Sequence, residues 1–121
     1  LGQYGVMEMK PTQTDSSATI LKNSLTCQPR VFSPIGNLAP HTKTTISFQL
    51  DKSAQASVKI YNVAGSIVNW IAEKEIFPAG KVIETWNGQD YDGNFVSTGL
   101  YIVAVTVNAK TQSKVVNVWN Q

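Results

Sequence analysis

The sequence predicts an all-β protein in which short antiparallel strands form a sandwich of two sheets. Apolar and polar residues alternate with a period of two in several separate runs, which is the pattern of half-buried strands. Turn pairs such as Asn87-Gly88 and Asp92-Gly93 lie between the runs. Sustained helical periodicity is missing, and only residues 71–76 offer a single turn. Strand signals spaced about ten residues apart favour a sandwich or a barrel.

Six runs after residue 43 account for most of the predicted strands. Leu100 begins a run that is apolar on both faces and rich in β-branched residues, which is typical of a central strand. Glu73 and Glu75 alternate on one strand face with Lys74 between them, which favours an exposed sheet edge. A further strand signal covers residues 25–32. The six runs are residues 44–50, 57–63, 66–76, 81–86, 100–107 and 113–119.

The N-terminal part of the chain has a different composition. Residues 3–10 read QYGVMEMK and predict an extension strand, whose candidate assembly residues are Tyr4 and Val6 on one face and Met7 and Met9 on the other. Residues 11–24 are polar and predict a flexible tether. An immunoglobulin-like sandwich of about seven strands needs about 100 residues, which residues 25–121 supply. The predicted division is therefore 1–24, strand and tether, and 25–121, sandwich.

Charge and cysteine content exclude several classes of protein. The net charge is +2 and Arg30 is the only arginine, so the concentrated basic face of a nucleic-acid-binding protein is not expected. No apolar run approaches the length of a membrane span. Charged residues make up 15% of the chain, and such a low share favours an extracellular or cell-surface β-protein. Cys27 is the only cysteine, so an internal disulfide is excluded. We interpret Cys27 as a buried small hydrophobe, with an intermolecular disulfide as the alternative.

A weak candidate for a metal site lies in the stretch GQDYDGNF. Asp90, Asp92 and Asn94 are spaced as the first ligands of a calcium loop, but that register places Phe95 where glycine is required and Tyr101 where a bidentate glutamate is required. Weak calcium binding is one interpretation. The other, which we favour, is a tight turn in which Asp90 bonds backbone amides as an Asx-turn.

Catalytic groups do not form a recognisable set. His41 is the only histidine, it lies in a loop, and no Gly-x-Ser-x-Gly turn is present. The sequence therefore predicts no enzyme activity, no cofactor and no small-molecule substrate. Trp70, Trp86 and Trp119 offer a carbohydrate-stacking interpretation if two of them face solvent in line; core packing is the alternative.

The segment between residues 58 and 107 resembles a known family. It is similar to the immunoglobulin-like domain of the flagellar hook-capping protein and of its relatives at the C-termini of secreted bacterial proteins, including sorting domains of type IX secretion. In the resemblance, Trp86 matches an aromatic anchor at a strand end. This chain has Trp-Asn-Gly where the family usually has Trp-Asp-Gly, and it lacks a basic residue after its last strand. The matching positions are Tyr61, Asn62, Gly65, Pro78, Ala79, Gly80, Trp86, Asn87, Gly88, Asp90, Gly93, Val96, Gly99 and Tyr101.

The resemblance implies a β-sandwich with a non-catalytic role in assembly, display or attachment. One hypothesis is a self-assembling subunit of a surface filament or similar polymer, in which a sandwich without its own sealing strand accepts residues 1–10 of a neighbouring subunit. The alternative is a C-terminal accessory, sorting or anchoring module of a larger secreted bacterial enzyme or adhesin. The expected partner is a second copy in the first case and the parent polypeptide in the second.

Overall fold

A computed structural model describes residues 17–36 and 39–120, and these residues form eight β-strands. The predicted extension strand, with Tyr4, Val6, Met7 and Met9, lies outside the described residues. The strands are β1 (Thr26–Gln28), β2 (Val31–Phe32), β3 (Thr44–Leu50), β4 (Ala54–Asn62), β5 (Ile67–Phe77), β6 (Gly80–Trp86), β7 (Gly99–Val107) and β8 (Lys110–Val118). In this part of the chain there is no helix long and apolar enough to cross a membrane.

The strands form a sandwich of two sheets, which confirms the predicted fold class. The smaller sheet has the order β1-β3-β6, and the larger one has the order β2-β8-β7-β4-β5. Strand β7 lies at the centre of the larger sheet and β5 lies at its edge, as the sequence patterns predict. All pairs are antiparallel except β2–β8, which is parallel.

The strand signal over residues 25–32 corresponds to two strands in different sheets. Pro29 falls between them, and proline has no N–H to donate to a ladder. Before this point β1 pairs with β3, and after it Val31 and Phe32 pair with the end of β8. The Arg30 carbonyl accepts the Asn117 amide at 2.7 Å and so holds the crossing point against β8.

Residues 17–25 pack against the end of β3 and the start of β8. Leu21 N donates to Gln49 O at 2.8 Å, and the side chains of Ala18 and Ile20 are 1% and 8% exposed. The prediction of a tether over residues 11–24 is therefore wrong for its described part. Two short apolar residues in a polar stretch give no periodic signal, yet they suffice to bury one turn of chain against the core.

The interior between the sheets is a single apolar cluster with an aromatic end. Trp86 is 1% exposed and contacts two rings edge to face, Phe32 at 5.6 Å and Tyr101 at 5.5 Å between ring centroids. Burying a tryptophan removes about 200 Å² of surface from water and contributes about 5 kcal/mol before entropy is subtracted. The expectation that Trp86 is buried at a strand end is thus correct. Trp86 is the last residue of β6, so the loop that follows β6 begins at this aromatic end of the core.

Candidate functional site

The loop that follows β6, residues 87–98, is held to both sheets through Gln89. The Gln89 carbonyl accepts the indole Nε1–H of Trp86 and the side-chain amide of Asn69, each at 2.9 Å. Trp86 belongs to the smaller sheet and Asn69 to the larger one, so one carbonyl joins the two. The Gln89 side chain also donates to Gly93 O at 2.8 Å. The loop is therefore fixed at its base.

The tip of this loop is a turn built on Asp90. The Oδ1 atom of Asp90 accepts the backbone amides of Asp92 at 2.9 Å and Asn94 at 3.0 Å, which are the hydrogen bonds of the predicted Asx-turn. Gly93 N donates to Asp90 O at 3.0 Å and closes the turn. One oxygen of the candidate calcium ligand set is thus engaged by two amides, and calcium binding by Asp90, Asp92 and Asn94 stays a prediction.

Gly88 packs into the aromatic end of the core. Its φ is +83°, a value that favours glycine, and a Cβ built on it would lie 2.2 Å from Pro34 Cγ. The sequence predicts Asn87-Gly88 as a turn pair and as part of the family motif. The tertiary contact with Pro34 adds a second requirement for glycine that no local pattern could reveal.

Tyr101 locks the other end of the loop. Its hydroxyl donates to Ser97 O at 2.8 Å, and burial raises the pKa of the phenol. A tyrosine near the start of a strand that bonds backbone a few residues upstream is the tyrosine corner of immunoglobulin-like sandwiches. The remaining motif residues lie at element ends or turns: Tyr61 in β4, Gly65 between β4 and β5, Gly80 and Gly99 as first residues of β6 and β7, and Gly93 in the Asp90 turn.

The three tryptophans do not share one surface. Trp86 is buried, whereas Trp70 and Trp119 are each 39% exposed. Trp70 lies on β5 and its ring contacts Tyr91 at 5.6 Å between centroids, tilted by 49°. Trp119 follows β8, and its amide donates to Phe32 O at 3.0 Å. Trp86 therefore takes no part in a carbohydrate platform, and stacking of a sugar on Trp70 and Trp119 stays a prediction.

A cleft of about 330 Å³ opens between the β4–β5 turn and the 87–98 loop. Its rim includes two aromatic residues that sequence reasoning missed, Tyr91 at 61% and Phe95 at 49% exposure. Asn62, Asp90 and Asp92 supply its polar groups. The only signal in the sequence that could have revealed the cleft is the presence of Tyr91 and Phe95 in a turn motif. A turn motif does not show whether such rings point outward.

The two long edge strands differ in regularity. Strand β6 pairs with β3 over seven consecutive positions without a shift. Strand β5 pairs with β4 through three register shifts, and each shift inserts one extra residue into β5. Lys74 occupies one of these bulges with φ of +52°, and its amide donates to Ser57 Oγ. Bulges and charges make β5 a poor template for another strand, so β6 is the more regular free edge.

The inner side of β6 carries a carboxylate near this free edge. Glu84 lies on the same face of β6 as the buried residues Val82 and Trp86 and is itself partly buried. Desolvation raises the pKa of Glu84, and the charge of Glu75 on β5 raises it further.

The core beneath β6 is already closed. Val82 on β6 is 5% exposed, and Ile46 and Phe48 on its partner β3 are 0% and 1% exposed. The described residues therefore leave no open groove beneath β6, and strand donation by residues 1–10 stays a prediction. A strand added at β6 would extend the sheet and would not fill a groove.

Cys27 is buried, whereas His41 lies in an exposed loop. The Cys27 side chain is 2% exposed, and burial raises the pKa of its thiol to about 11, so the thiolate is scarce at neutral pH. The interpretation as a buried small hydrophobe is correct. His41 is exposed in the loop before β3, and its carbonyl accepts the Ser33 amide at 2.8 Å.

Comparison with solved structures finds the same fold in two proteins that align with TM-scores above 0.5. PorZ, a bacterial surface component of the type-IX secretion system of Porphyromonas gingivalis, aligns with 24% identity and a TM-score of 0.51 over 78% of this chain. FlgD from P. aeruginosa aligns with 27% identity and a TM-score of 0.47 over 62% of this chain. The alkylpurine DNA glycosylase AlkC of Pseudomonas fluorescens aligns with 16% identity and a TM-score of 0.51 over 84%. The chain spans 11%, 58% and 30% of those three proteins, respectively.

Sequence comparison assigns the family. No curated protein matches this chain significantly. The model of the FlgD Ig-like domain matches residues 36–111, which is more than half of the chain and includes β3 to β7 and the 87–98 loop. The chain therefore belongs to the FlgD Ig-like domain family, a family of structural domains.

Proposed function

We propose that this domain is a non-catalytic extracellular structural module that assembles by strand addition at the free edge of β6. The donor is the segment of residues 1–10 of a neighbouring copy. The observation that carries the proposal is the regular pairing of β6 with β3, which leaves the opposite side of β6 without a neighbouring strand in the described sheet. An exposed sheet edge is a template on which an extended peptide forms main-chain hydrogen bonds.

The other edges support the choice of β6. Strands β1 and β2 have three and two residues, too few to hold a donor of ten. Strand β5 is long, but its three bulges break the row of backbone groups that a donor would need. Strand β6 has seven residues and an exposed apolar side chain, Ile83, at 59% exposure. A donor with apolar side chains on both faces would cover Ile83 with one of them.

The energetics predict a weak and concentration-dependent link. Each hydrogen bond to the edge contributes about 1 kcal/mol, whereas ordering the donor costs about 1 to 2 kcal/mol per residue. Without a groove to fill, the apolar side chains of the donor must supply the difference. Head-to-tail donation does not close on itself, so many weak links in series form a filament only at high subunit concentration.

The direct test restores the donor as a separate peptide. A chain lacking residues 1–10 is expected to stay folded and monomeric by light scattering, because those residues precede the described core. Adding the peptide LGQYGVMEMK should shift the amide NMR signals of β6 and leave those of β5 unchanged. If the truncated chain forms the same oligomers as the full chain, residues 1–10 are not the donor.

A pair of charge substitutions tests the edge. Ile83→Lys places a charge on the edge strand β6, and Gln49→Lys places the same charge on β3, the middle strand of the same sheet. Ile83→Lys should abolish assembly of the full chain and Gln49→Lys should leave it intact. Equal effects of both substitutions would show that net charge, rather than the β6 edge, governs assembly.

A second candidate function is an accessory, sorting or anchoring module of a larger secreted protein. The observation that favours it is that the region similar to this chain makes up only 11% of the PorZ chain and 30% of the AlkC chain. In that case residues 1–24 connect to a preceding domain and β6 faces solvent or the parent protein. The intact mass of the natural protein distinguishes the two functions: about 13 kDa supports a subunit, and a much larger mass supports a module.

A further inference from the structure

The cleft between the β4–β5 turn and the 87–98 loop is independent of the β6 edge and has the features of a ligand site. Its volume of about 330 Å³ is within the range of small-molecule sites in proteins, about 300 to 1,000 Å³. Tyr91 and Phe95 line it, and their side chains are 61% and 49% exposed. The ring of Trp70 contacts Tyr91 and extends the aromatic surface along β5.

The cleft is held in shape before any ligand arrives. Tyr91 N donates to Val68 O at 3.0 Å and ties the aromatic residue to β5. On the opposite wall, Val96 N donates to Gly88 O at 2.9 Å, and the hydroxyl of Tyr101 fixes Ser97. A ligand therefore meets rings whose backbone is already positioned, which lowers the entropic cost of binding.

The charges of the residues that line the cleft favour a cationic ligand. Asp90 and Asp92 both line the cleft, and among the described residues no lysine, arginine or histidine lines it. The Asp92 carboxylate makes no hydrogen bond or ion pair with the described residues. Lys59 lies opposite Trp70 in the β4–β5 register but does not line the cleft. Two carboxylates repel an anion, and the negative faces of aromatic rings attract a cation.

We propose that this cleft binds an organic cation, an ammonium or guanidinium group that lies against Tyr91 and Phe95 and pairs with Asp92. The aromatic faces and the carboxylate act on the same charge, so both contributions favour a cation over a neutral molecule of the same shape. A saccharide would use the rings and donate hydroxyl hydrogen bonds to the carboxylate, but it carries no positive charge for the ring faces and the carboxylates to attract. The group is supplied either by a free amine or by a lysine or arginine side chain of a polypeptide.

The experiment titrates the labelled 121-residue chain with matched probes and follows amide NMR shifts. Tetramethylammonium should shift signals of residues 67–69 and 90–97 in a saturable way, and tert-butanol, a neutral probe of the same branched shape, should bind at least about fivefold more weakly. N-acetyl-lysine amide and N-acetylnorleucine amide form the second pair and show whether a peptide-borne side chain enters. Equal binding within both pairs, or no saturable shift with either cation, overturns the proposal.

Variants and a sugar probe complete the test. Asp92→Asn and Tyr91→Ala should each weaken cation binding by about fivefold. Trp119→Ala, which removes a ring of the same 39% exposure as Trp70 from another part of the surface, should leave binding unchanged. Because Asp92 and Tyr91 are exposed, both variants are expected to fold like the parent chain. Saturable binding of methyl glucoside with no binding of cations would make the cleft a saccharide site and overturn the proposal.

Discussion

Strand β6 joins two regions that differ in how strongly their residues are constrained. At its end, Trp86 and Gly88 enter a closed aromatic corner in which ring contacts, a positive φ and a contact with Pro34 apply together. Along its length, Ile83 and Glu84 lie on a free edge where one side chain is exposed and a carboxylate is partly desolvated. The comparison teaches that this domain is held together at its corner, whereas its edge can change at little expense in stability.

The largest expected effect comes from removing the centre of the corner. Trp86→Ala should lower the free energy of unfolding by about 3 to 5 kcal/mol, because a fully buried ring is lost and a cavity remains. Urea denaturation followed by circular dichroism measures the change. Trp70→Ala, a ring of the same type on the exposed edge strand β5, is the matched control and should cost less than half as much. Equal losses of unfolding free energy in the two variants would show that the buried ring of Trp86 stabilises the fold no more than the exposed ring of Trp70.

Two glycine substitutions separate packing from backbone strain. Gly65 and Gly88 have nearly the same φ, +86° and +83°, but a Cβ at Gly65 meets nothing within 4 Å, whereas one at Gly88 meets Pro34 at 2.2 Å. Gly65→Ala should cost about 1 to 2 kcal/mol from the left-handed conformation alone. Gly88→Ala should cost at least about 2 kcal/mol more, because overpacking is added. Thermal unfolding of both variants gives the difference, and similar melting temperatures would contradict the Pro34 contact.

The tyrosine corner predicts a smaller effect. Tyr101→Phe removes the hydroxyl that donates to Ser97 O and should lower the unfolding free energy by about 1 kcal/mol. Tyr91→Phe removes an exposed hydroxyl from the same loop and should leave stability unchanged. Denaturant midpoints distinguish the two variants. A Tyr101→Phe variant as stable as the parent would show that ring packing on Trp86, at 5.5 Å, accounts for the whole role of Tyr101.

The strands could be predicted from the sequence because their alternation is local. The period-two runs gave β3 without error and gave β4 to β8 within a few residues, and Asp90 was predicted as an Asx-turn because its partners lie two and four residues away. The contact of Trp70 with Tyr91 joins residues on separate strands and loops, so no run reveals it. The packing of residues 17–24 against the core was missed for the same reason, because their partners, such as Gln49, are far away in the sequence.

The sequence predicts that β5 is an edge strand but does not predict that β6 is one. Alternating charges on β5 signalled an edge, and they are exposed as expected. The three bulges of β5 and the free side of β6 depend on sheet order, which is set by the pairing of strands far apart in sequence. The inward orientation of Glu84 follows from its position two residues from Val82 and Trp86, on the same face of β6, but its nearness to Glu75 follows only from the way the two sheets meet.

The smallest expected effect concerns the carboxylate of Glu84 on the free edge. Its folded-state pKa lies above the ordinary value of 4.5, because desolvation and then Glu75 disfavour the charged form. The protonated form therefore stabilises the fold, and this contribution is complete below the unfolded pKa and is lost as pH rises through the folded pKa. Glu84→Gln should raise the unfolding free energy at pH 7 by less than about 1 kcal/mol, since solvent screens a partly exposed charge, and should have no effect near pH 3. Urea midpoints at the two pH values measure this, with Glu73→Gln on β5 as the matched control. A gain that is equal at both pH values would show that side-chain volume rather than charge is responsible, and the edge would then be shaped by packing as the corner is.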